Sequence, residues 1–255
     1  MVMKVVAVYS TKGGVGKTTA AVNLAWEASQ SFRVLLWDLD TQGASSYLLE
    51  VKAKVRGGID SLVSGKLVAG DAIRPTPHPN LDILPADDSY REIELVFDAA
   101  KNSTRRIEKV LASLGERYDV VILDCPPGAS LVAENAVQAA DIVVVPLVPS
   151  PLSLRSLDQV AAIVAEAAQP TPVLGFLSMV DRRKAAHRAA AESLHRENTT
   201  VSDILVPSTV IVERMGAARA PVATYAPNSE AAQAYEKLWK RVAAIAKVRH
   251  PKRKR

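Results

Sequence analysis

The sequence predicts a doubly wound α/β fold, a mostly parallel sheet flanked by helices, and three observations carry that reading. Apolar runs rich in branched residues recur along the chain, segments of helical periodicity lie between most of them, and a glycine-rich stretch, GGVGKTT, joins the first run to the first helix. Strand, helix and strand in succession imply parallel pairing, and strands that read as nearly continuous apolar runs need helices on both faces. Ligands in such folds sit at the carboxyl ends of the strands.

In chain order, the first strand is KVVAVYS at 4–10 and the first helix covers 18–29, with RVLLWDLD at 33–40 as the second strand. Residues 43–80, with VRGG, VSGK and RPTPHPN, are the least regular part and read as a mobile excursion. LDILPA at 81–86, a helix over 103–114, YDVVILD at 118–124, a helix over 131–139, DIVVVPLV at 141–148 and a helix over 154–168 follow. AQPTPVLG reads as a loop entering the strand VLGFLSMV at 173–180, and DILVPS at 203–208 is the last strand. The closing segment, SEAAQAYEKLWKRVAAIAKV, places Tyr235, Leu238, Trp239, Val242 and Ile245 on one side, a stripe suited to packing against the sheet. There is no internal repeat and no low-complexity linker, so one domain is expected over 1–246, with a basic tail at 247–255.

A chain of 255 residues, 48% apolar, is long enough to bury a substantial core. Its apolar runs are too short to span a bilayer and its start lacks a charged leader with a cleavage site, so a soluble, cytoplasmic protein is expected. The single cysteine, Cys125, excludes a disulfide framework and any cysteine-rich metal cage, and the histidines at 78, 187, 195 and 250 have no ligand spacing. The net charge of +5 is concentrated: KVRHPKRKR at 247–255 holds six Lys or Arg residues and no acid, leaving −1 for the rest. Such a tail attracts nucleic acid or an anionic membrane surface, or serves only as a solvated terminus.

GGVGKTT has the makings of a phosphate loop. Glycines let backbone N–H groups turn toward phosphate oxygens, and the helix that follows offers its positive end. Gly13, Gly14, Val15, Gly16, Lys17, Thr18 and Thr19 are the candidate nucleotide contacts, with Lys17 reaching the β and γ phosphates and the Thr18 hydroxyl a ligand for Mg²⁺. The usual pattern has glycine at position 11, where this chain has Thr11, and a second lysine, Lys12, precedes the glycines. Asp38 and Asp40 end the second strand and Asp124 ends the fourth, so three carboxylates converge on the same sheet edge. An aspartate after four apolar residues is where a nucleotide enzyme holds the Mg²⁺ water shell.

KGGVGKTT, DLDTQG, VVILDCPPG, SMVDRR and APVATYAPNSEAAQAYEKL, in that order across nearly the whole chain, resemble the ParA/MinD family of deviant Walker P-loop ATPases. Thr41 departs from the family's element after the second strand by replacing its proline. The resemblance implies ATP and Mg²⁺ as cofactors, and a homodimer in the ATP state in which Lys12 crosses the two-fold interface to the partner's phosphates. It further implies that Asp40 orients or activates the attacking water, that Asp124 holds the Mg²⁺ shell and that Asp38 helps position the metal. The segments 41–47 and 125–130 are then switches that sense the γ-phosphate. Candidate base contacts are Asp181 and Pro207. Cys125 is expected to be a small buried residue rather than a nucleophile.

Branches of the family separate on the text. One cysteine is too few for a bridging iron–sulfur cluster, the end of the chain has Pro251 and no bulky apolar face for an anchoring helix, and no tyrosine cluster closes it. ParA-like positioning ATPases remain, and because the strand signal begins at Lys4 the short form without an operator-binding extension is expected. Such a protein binds double-stranded DNA without sequence preference, is nucleoid-associated, and hydrolyses ATP slowly until a cargo-linked ParB-like activator stimulates it. Candidate DNA contacts are Arg182, Arg183, Lys184, Arg188, Arg214, Arg219, Lys252, Arg253, Lys254 and Arg255. Alternatives are a MinD-like regulator at a membrane surface, without stable insertion, and a nucleotide-dependent ligase or synthase of similar fold.

Overall fold

The computed structural model describes residues 3–52, 57–99 and 103–249. Eight strands form a single sheet among them: β1 (Lys4–Val8), β2 (Val34–Asp38), β3 (Arg74–Pro75), β4 (Leu81–Leu84), β5 (Val120–Asp124), β6 (Ile142–Leu147), β7 (Val173–Val180) and β8 (Val201–Pro207). Their order is β3-β4-β2-β5-β1-β6-β7-β8. Every pairing is parallel except β3 with β4. Seven of these strands match the apolar runs. The eighth, β3, is only Arg74 and Pro75, and a proline without an N–H fits an edge strand.

Both sheet faces are covered, as the continuous apolar runs require. Val5, Ala7, Leu35, Trp37, Val121, Leu123, Val143 and Val145 lie in one buried cluster, with Val132, Ala136 and Val160 from the helices Leu131–Ala139 and Pro151–Ala165. Val6, Val8, Val34, Leu36, Val120, Ile122, Ile142 and Val144 lie in the other, with Leu24, Ala28, Leu238 and Val242 from the helices Lys17–Ser29 and Glu230–Ile245. Alternate residues of each strand thus serve opposite cores, the period-two geometry of a pleated strand. Of the predicted stripe on the last helix, Tyr235, Leu238, Trp239 and Val242 are buried and Ile245 is half-buried.

Two regions differ from the sequence expectation. Residues 43–80 hold the short helices Ala44–Leu48, Gly58–Ser64 and Ala69–Ala72 besides β3, and Leu48, Leu49, Ile59, Leu62 and Val63 are buried. These turns are too short to show periodicity, and Gly43, Gly57 and Gly65 at their ends take positive φ. The helix Ala185–Glu197 went unrecognised because only His187 and Leu194 on it are buried.

Strand order reverses at β1, flanked by β5 and β6, so the crevice beyond β1, β5 and β2 is where this topology accepts a ligand. The helix leaving that crevice packs on the last helix, and burial together with nearby Glu236 raises Glu27 from its ordinary range to about 7, with Lys240 opposing. A raised carboxyl favours the folded state only while protonated, so its contribution is present below about pH 4.5 and is lost as pH rises to about 7. Glu27→Gln should flatten that slope and raise stability at pH 8 by about 1 kcal/mol, read from urea unfolding at several pH values.

Candidate functional site

The glycine-rich loop leaves β1 and enters the helix Lys17–Ser29 directly. Its backbone turns at Gly14 (φ 69°) and Gly16 (φ 93°), both in the region that disfavours side chains. Gly16 also approaches β7 closely: a Cβ there would stand 2.8 Å from the Ser178 hydroxyl oxygen. Neighbouring turns brace the loop. The Gly128 N–H donates to the Thr11 carbonyl at 3.1 Å, and the Tyr9 hydroxyl donates to the Gly128 carbonyl at 2.9 Å. On the other flank, the Thr11 and Ser156 hydroxyls are 2.9 Å apart.

The two lysines of the loop are in different situations. Lys17 is buried and its ammonium donates to the Lys12 carbonyl at 2.9 Å. Burial pulls its pKa below the usual lysine value, with Asp124 and Asp40 opposing the shift. The ammonium of Lys12, half-buried, makes no hydrogen bond or ion pair among the described residues.

Three carboxylates stand beside this loop. Asp38 and Asp124 are register partners at the ends of β2 and β5, and both are fully buried. Ser46 donates to Asp38 Oδ2 through its N–H (2.9 Å) and its hydroxyl (2.8 Å), while the Ser45 hydroxyl donates to Asp124 Oδ2 at 2.7 Å. Oδ1 of each carboxyl is buried without a partner among the described residues. Burial raises both pKa values; the neighbouring Asp38 adds to the rise at Asp124, which Ser45 and Thr18 oppose. Asp40, less buried, accepts the Gln42 N–H at 3.0 Å.

Two orphaned carboxyl oxygens beside a threonine hydroxyl are part of a hard-oxygen ligand set. No group of three or more His, Cys, Asp or Glu side chains able to hold a metal occurs among the described residues. The residues fit a cation such as Mg²⁺, which takes one or two carboxylates together with waters and phosphate oxygens. A dication there would also remove the repulsion between two buried anions.

A cavity of about 460 Å³ opens over the loop. Gly13, Gly14, Gly16, Lys17, Thr18, Thr19, Asp40 and Pro207 are among the residues that line it. Val15, also in the candidate set, is buried. Asp181 is not among the lining residues. Its carboxylate takes two bonds of 2.9 Å from the Arg183 guanidinium, which holds its pKa down at about 2. Sequence reasoning missed Met179, Val212, Glu213 and Met215 in the wall. Met179 is a non-glycine residue at φ 56°, placed by a bulge in the β7–β8 pairing, and the others belong to one-turn helices without periodicity.

The arginines singled out for nucleic acid lie on the surface but are engaged within the chain. Arg182 pairs with Glu230, Arg183 with Asp181, and Arg188 donates to the carbonyls of Arg182 and Arg183. Arg214 lies over the Tyr225 ring and Arg219 over the Tyr47 ring. Lys184, exposed, precedes the helix Ala185–Glu197. Lys252, Arg253, Lys254 and Arg255 fall outside the described residues. Cys125 is buried, its thiol pushed far up by burial and by Asp124, which suits a packing residue and not a nucleophile. No helix among the described residues is long and apolar enough to cross a membrane.

Comparison with known proteins agrees with this geometry. A family model described as an AAA domain matches residues 3–172. The chain is 33% identical to the sporulation initiation inhibitor protein Soj of Bacillus subtilis, covering 94% of this chain and 98% of that one. It is 31% identical to the chromosome partitioning protein ParA of Caulobacter vibrioides, covering 94% of each. Among solved structures, the cobyrinic acid a,c-diamide synthase of Mycobacterium smegmatis with bound ATP analogue and magnesium is 25% identical, with a TM-score of 0.79 over 98% of both chains.

Gly16 and Gly13 give a test of the loop geometry. Gly16→Ala should cost about 1–3 kcal/mol of stability, because it combines a left-handed backbone with the close approach to Ser178. Gly13→Ala, with open space at the Cβ position, should stay within about 0.5 kcal/mol of the parent in urea unfolding.

Proposed function

The chain belongs to the ParA/Soj family of P-loop ATPases, and we propose that it hydrolyses ATP as part of a dimerisation cycle that positions or segregates a cargo on DNA. The observation that carries this reading is the pair of lysines in the loop. The Lys17 ammonium is turned back into its own loop, where it donates to the Lys12 carbonyl, whereas the Lys12 ammonium has no partner among the described residues. When two nucleotides face each other across a two-fold axis, their phosphates concentrate negative charge that a cation from the opposite subunit offsets. Lys12 serves in that role.

Within one subunit, residues 13–19 cradle the phosphates, with Lys17 on the β and γ groups. Thr18, Asp38 and Asp124 hold Mg²⁺, directly or through its waters, and the ion when bound neutralises charge that develops on the phosphates. Asp40, at the edge of the cavity, orients the attacking water. Phosphoryl transfer depends mainly on alignment and charge neutralisation, so a site completed by a second subunit makes hydrolysis contingent on dimerisation. Pro207 packs on the base. Asp181, ion-paired with Arg183, is the other candidate base contact.

The unit is one ATPase domain over 1–246 with a basic tail at 247–255, which is nucleoid-associated through Arg182, Arg183, Arg188, Arg214, Arg219 and the tail residues Lys252, Arg253, Lys254 and Arg255. Few aromatics accompany these charges, which favours contact with the DNA backbone over base stacking. A dimer doubles the basic surface, making DNA affinity dependent on ATP and steeply on salt. A cargo-linked activator of the ParB type accelerates hydrolysis and returns the monomer.

Light scattering with a non-hydrolysable ATP analogue and Mg²⁺ tests the cycle, with parallel arms containing an unrelated DNA duplex and anionic liposomes. The parent chain should double in mass and retain the duplex only with the triphosphate, and Lys12→Ala should still bind nucleotide yet do neither. A Lys12→Ala dimer equal to the parent contradicts the role of Lys12. Capture by liposomes without capture by DNA replaces the reading with a membrane-surface regulator.

A further inference from the structure

We propose that Arg219 is a positioning residue for the Asp38–Asp124 pair, acting through Tyr47 and the five-residue helix Ala44–Leu48. The proposal rests on those carboxyls being the metal-holding pair proposed above, and it gives Arg219 a task separate from any contact with nucleic acid.

The helix Ala44–Leu48 cannot set its own place. It is closed by backbone bonds from the Tyr47 N–H to the Gly43 carbonyl (3.0 Å) and from the Leu49 N–H to the Ser45 carbonyl (3.1 Å). Gly43, at φ 61°, supplies no side-chain cap. A single turn of this kind is unstable alone, so its neighbours fix it. On one side those neighbours are the two carboxyls: Ser45 binds Asp124 Oδ2 and Ser46 binds Asp38 Oδ2. These bonds turn the carboxyls so that Oδ1 of each is left without a partner among the described residues. A shift of the helix by a fraction of an ångström therefore re-aims both acids together.

Core packing of Leu48 and Leu49 and the bonds from the Glu50 N–H to the Tyr47 carbonyl (3.2 Å) and from the Val51 N–H to the Ser46 carbonyl (3.0 Å) also hold the helix, and Arg219 adds a side-chain clasp to it. Its Nε–H donates to the Tyr47 carbonyl at 3.0 Å while its guanidinium carbon lies 4.6 Å from the Tyr47 ring centre. The bond caps a carbonyl of the last turn with a cation, the favourable polarity for a helix C-terminus. Arg219 itself closes the helix Met215–Ala218 in the left-handed region (φ 48°, ψ 47°), where glycine is the ordinary choice. An arginine at this strained position is explained by what its side chain holds.

The base of this clasp is firm. Asn23, in the helix that follows the phosphate loop, donates to the Met215 sulfur at 3.3 Å and accepts the Val222 N–H at 2.8 Å. Arg219 is thus mounted between two points tied to the helix Lys17–Ser29 and reaches across to the serines' helix. Lysine keeps the charge but has neither the Nε–H nor the planar group that stacks, so it does not replace the clasp.

Hydrogen exchange of the nucleotide-free chain, followed over residues 44–51, tests this directly, because it depends on neither hydrolysis nor DNA. Arg219→Ala and Arg219→Lys should both speed exchange of the slow amides in this segment at least tenfold, whereas Tyr47→Phe, which keeps ring and carbonyl, should match the parent. In a second measurement, the Mg²⁺ concentration giving half-maximal tightening of an ATP analogue should rise several-fold in Arg219→Lys, with affinity in EDTA within twofold of the parent. Should Arg219→Ala fail to fold, Arg219→Lys decides alone. Parent-like exchange in Arg219→Lys overturns the proposal, as does an unshifted Mg²⁺ midpoint. A chain that exchanges as expected but binds no nucleotide overturns the functional reading and leaves the clasp standing as a structural element.

Discussion

Two carboxyl groups buried side by side at the ends of β2 and β5 are the constraint around which the rest of this molecule is arranged. Asp38 and Asp124 are register partners without solvent, each with one oxygen satisfied by a serine and one left unpaired. Burying one anion is costly, and burying two in contact is sustained only if something neutralises them. Burial raises the pKa of both groups, so each carboxylate is harder to ionise here than in water. In the function proposed for this chain, a cation brought in with phosphates would neutralise them, which would link the acids to the loop that holds Lys17 and Thr18.

The topology makes this arrangement possible. Parallel pairing of β1, β2 and β5 brings the carboxyl ends of three strands to one edge, and the reversal of order at β1 opens the crevice there. Small buried residues on the helix Lys17–Ser29, Ala20, Ala21, Ala25 and Ala28, let it lie close over the sheet. That helix in turn fixes, through Asn23, the segment from Met215 to Val222 that forms a wall of the cavity and carries Arg219. The phosphate loop, the cavity wall and the arginine surface are thus mechanically continuous.

Much of this was legible in the residues. Long apolar strands bounded by turns announced seven of eight strands, and the spacing of glycines, lysine and threonine announced the loop, because each motif sits where a periodic element starts or stops. What escaped was built from short pieces: the two-residue β3, the helices Ala44–Leu48, Gly58–Ser64 and Ala69–Ala72, and the cavity wall at Val210–Glu213 and Met215–Ala218. The helix Ala185–Glu197 escaped for a different reason, being mostly exposed and so free of an apolar stripe. That Arg183 folds back upon Asp181, two residues before it, was not anticipated from the sequence. Ser45 and Ser46 fell inside the expected switch segment 41–47 but were not singled out; only the fold shows that they meet the two acids.

The most direct test of this account is the dependence of nucleotide affinity on magnesium in Asp124→Asn. Titrating a fluorescent ATP analogue with and without Mg²⁺, the parent chain should bind at least tenfold more tightly with the ion, a difference of about 1.4 kcal/mol. In Asp124→Asn that gain should vanish while affinity in EDTA is unchanged or improved, since a buried charge has been removed. An undiminished gain from magnesium in the variant would contradict the claim that the carboxyl pair is held in reserve for a cation.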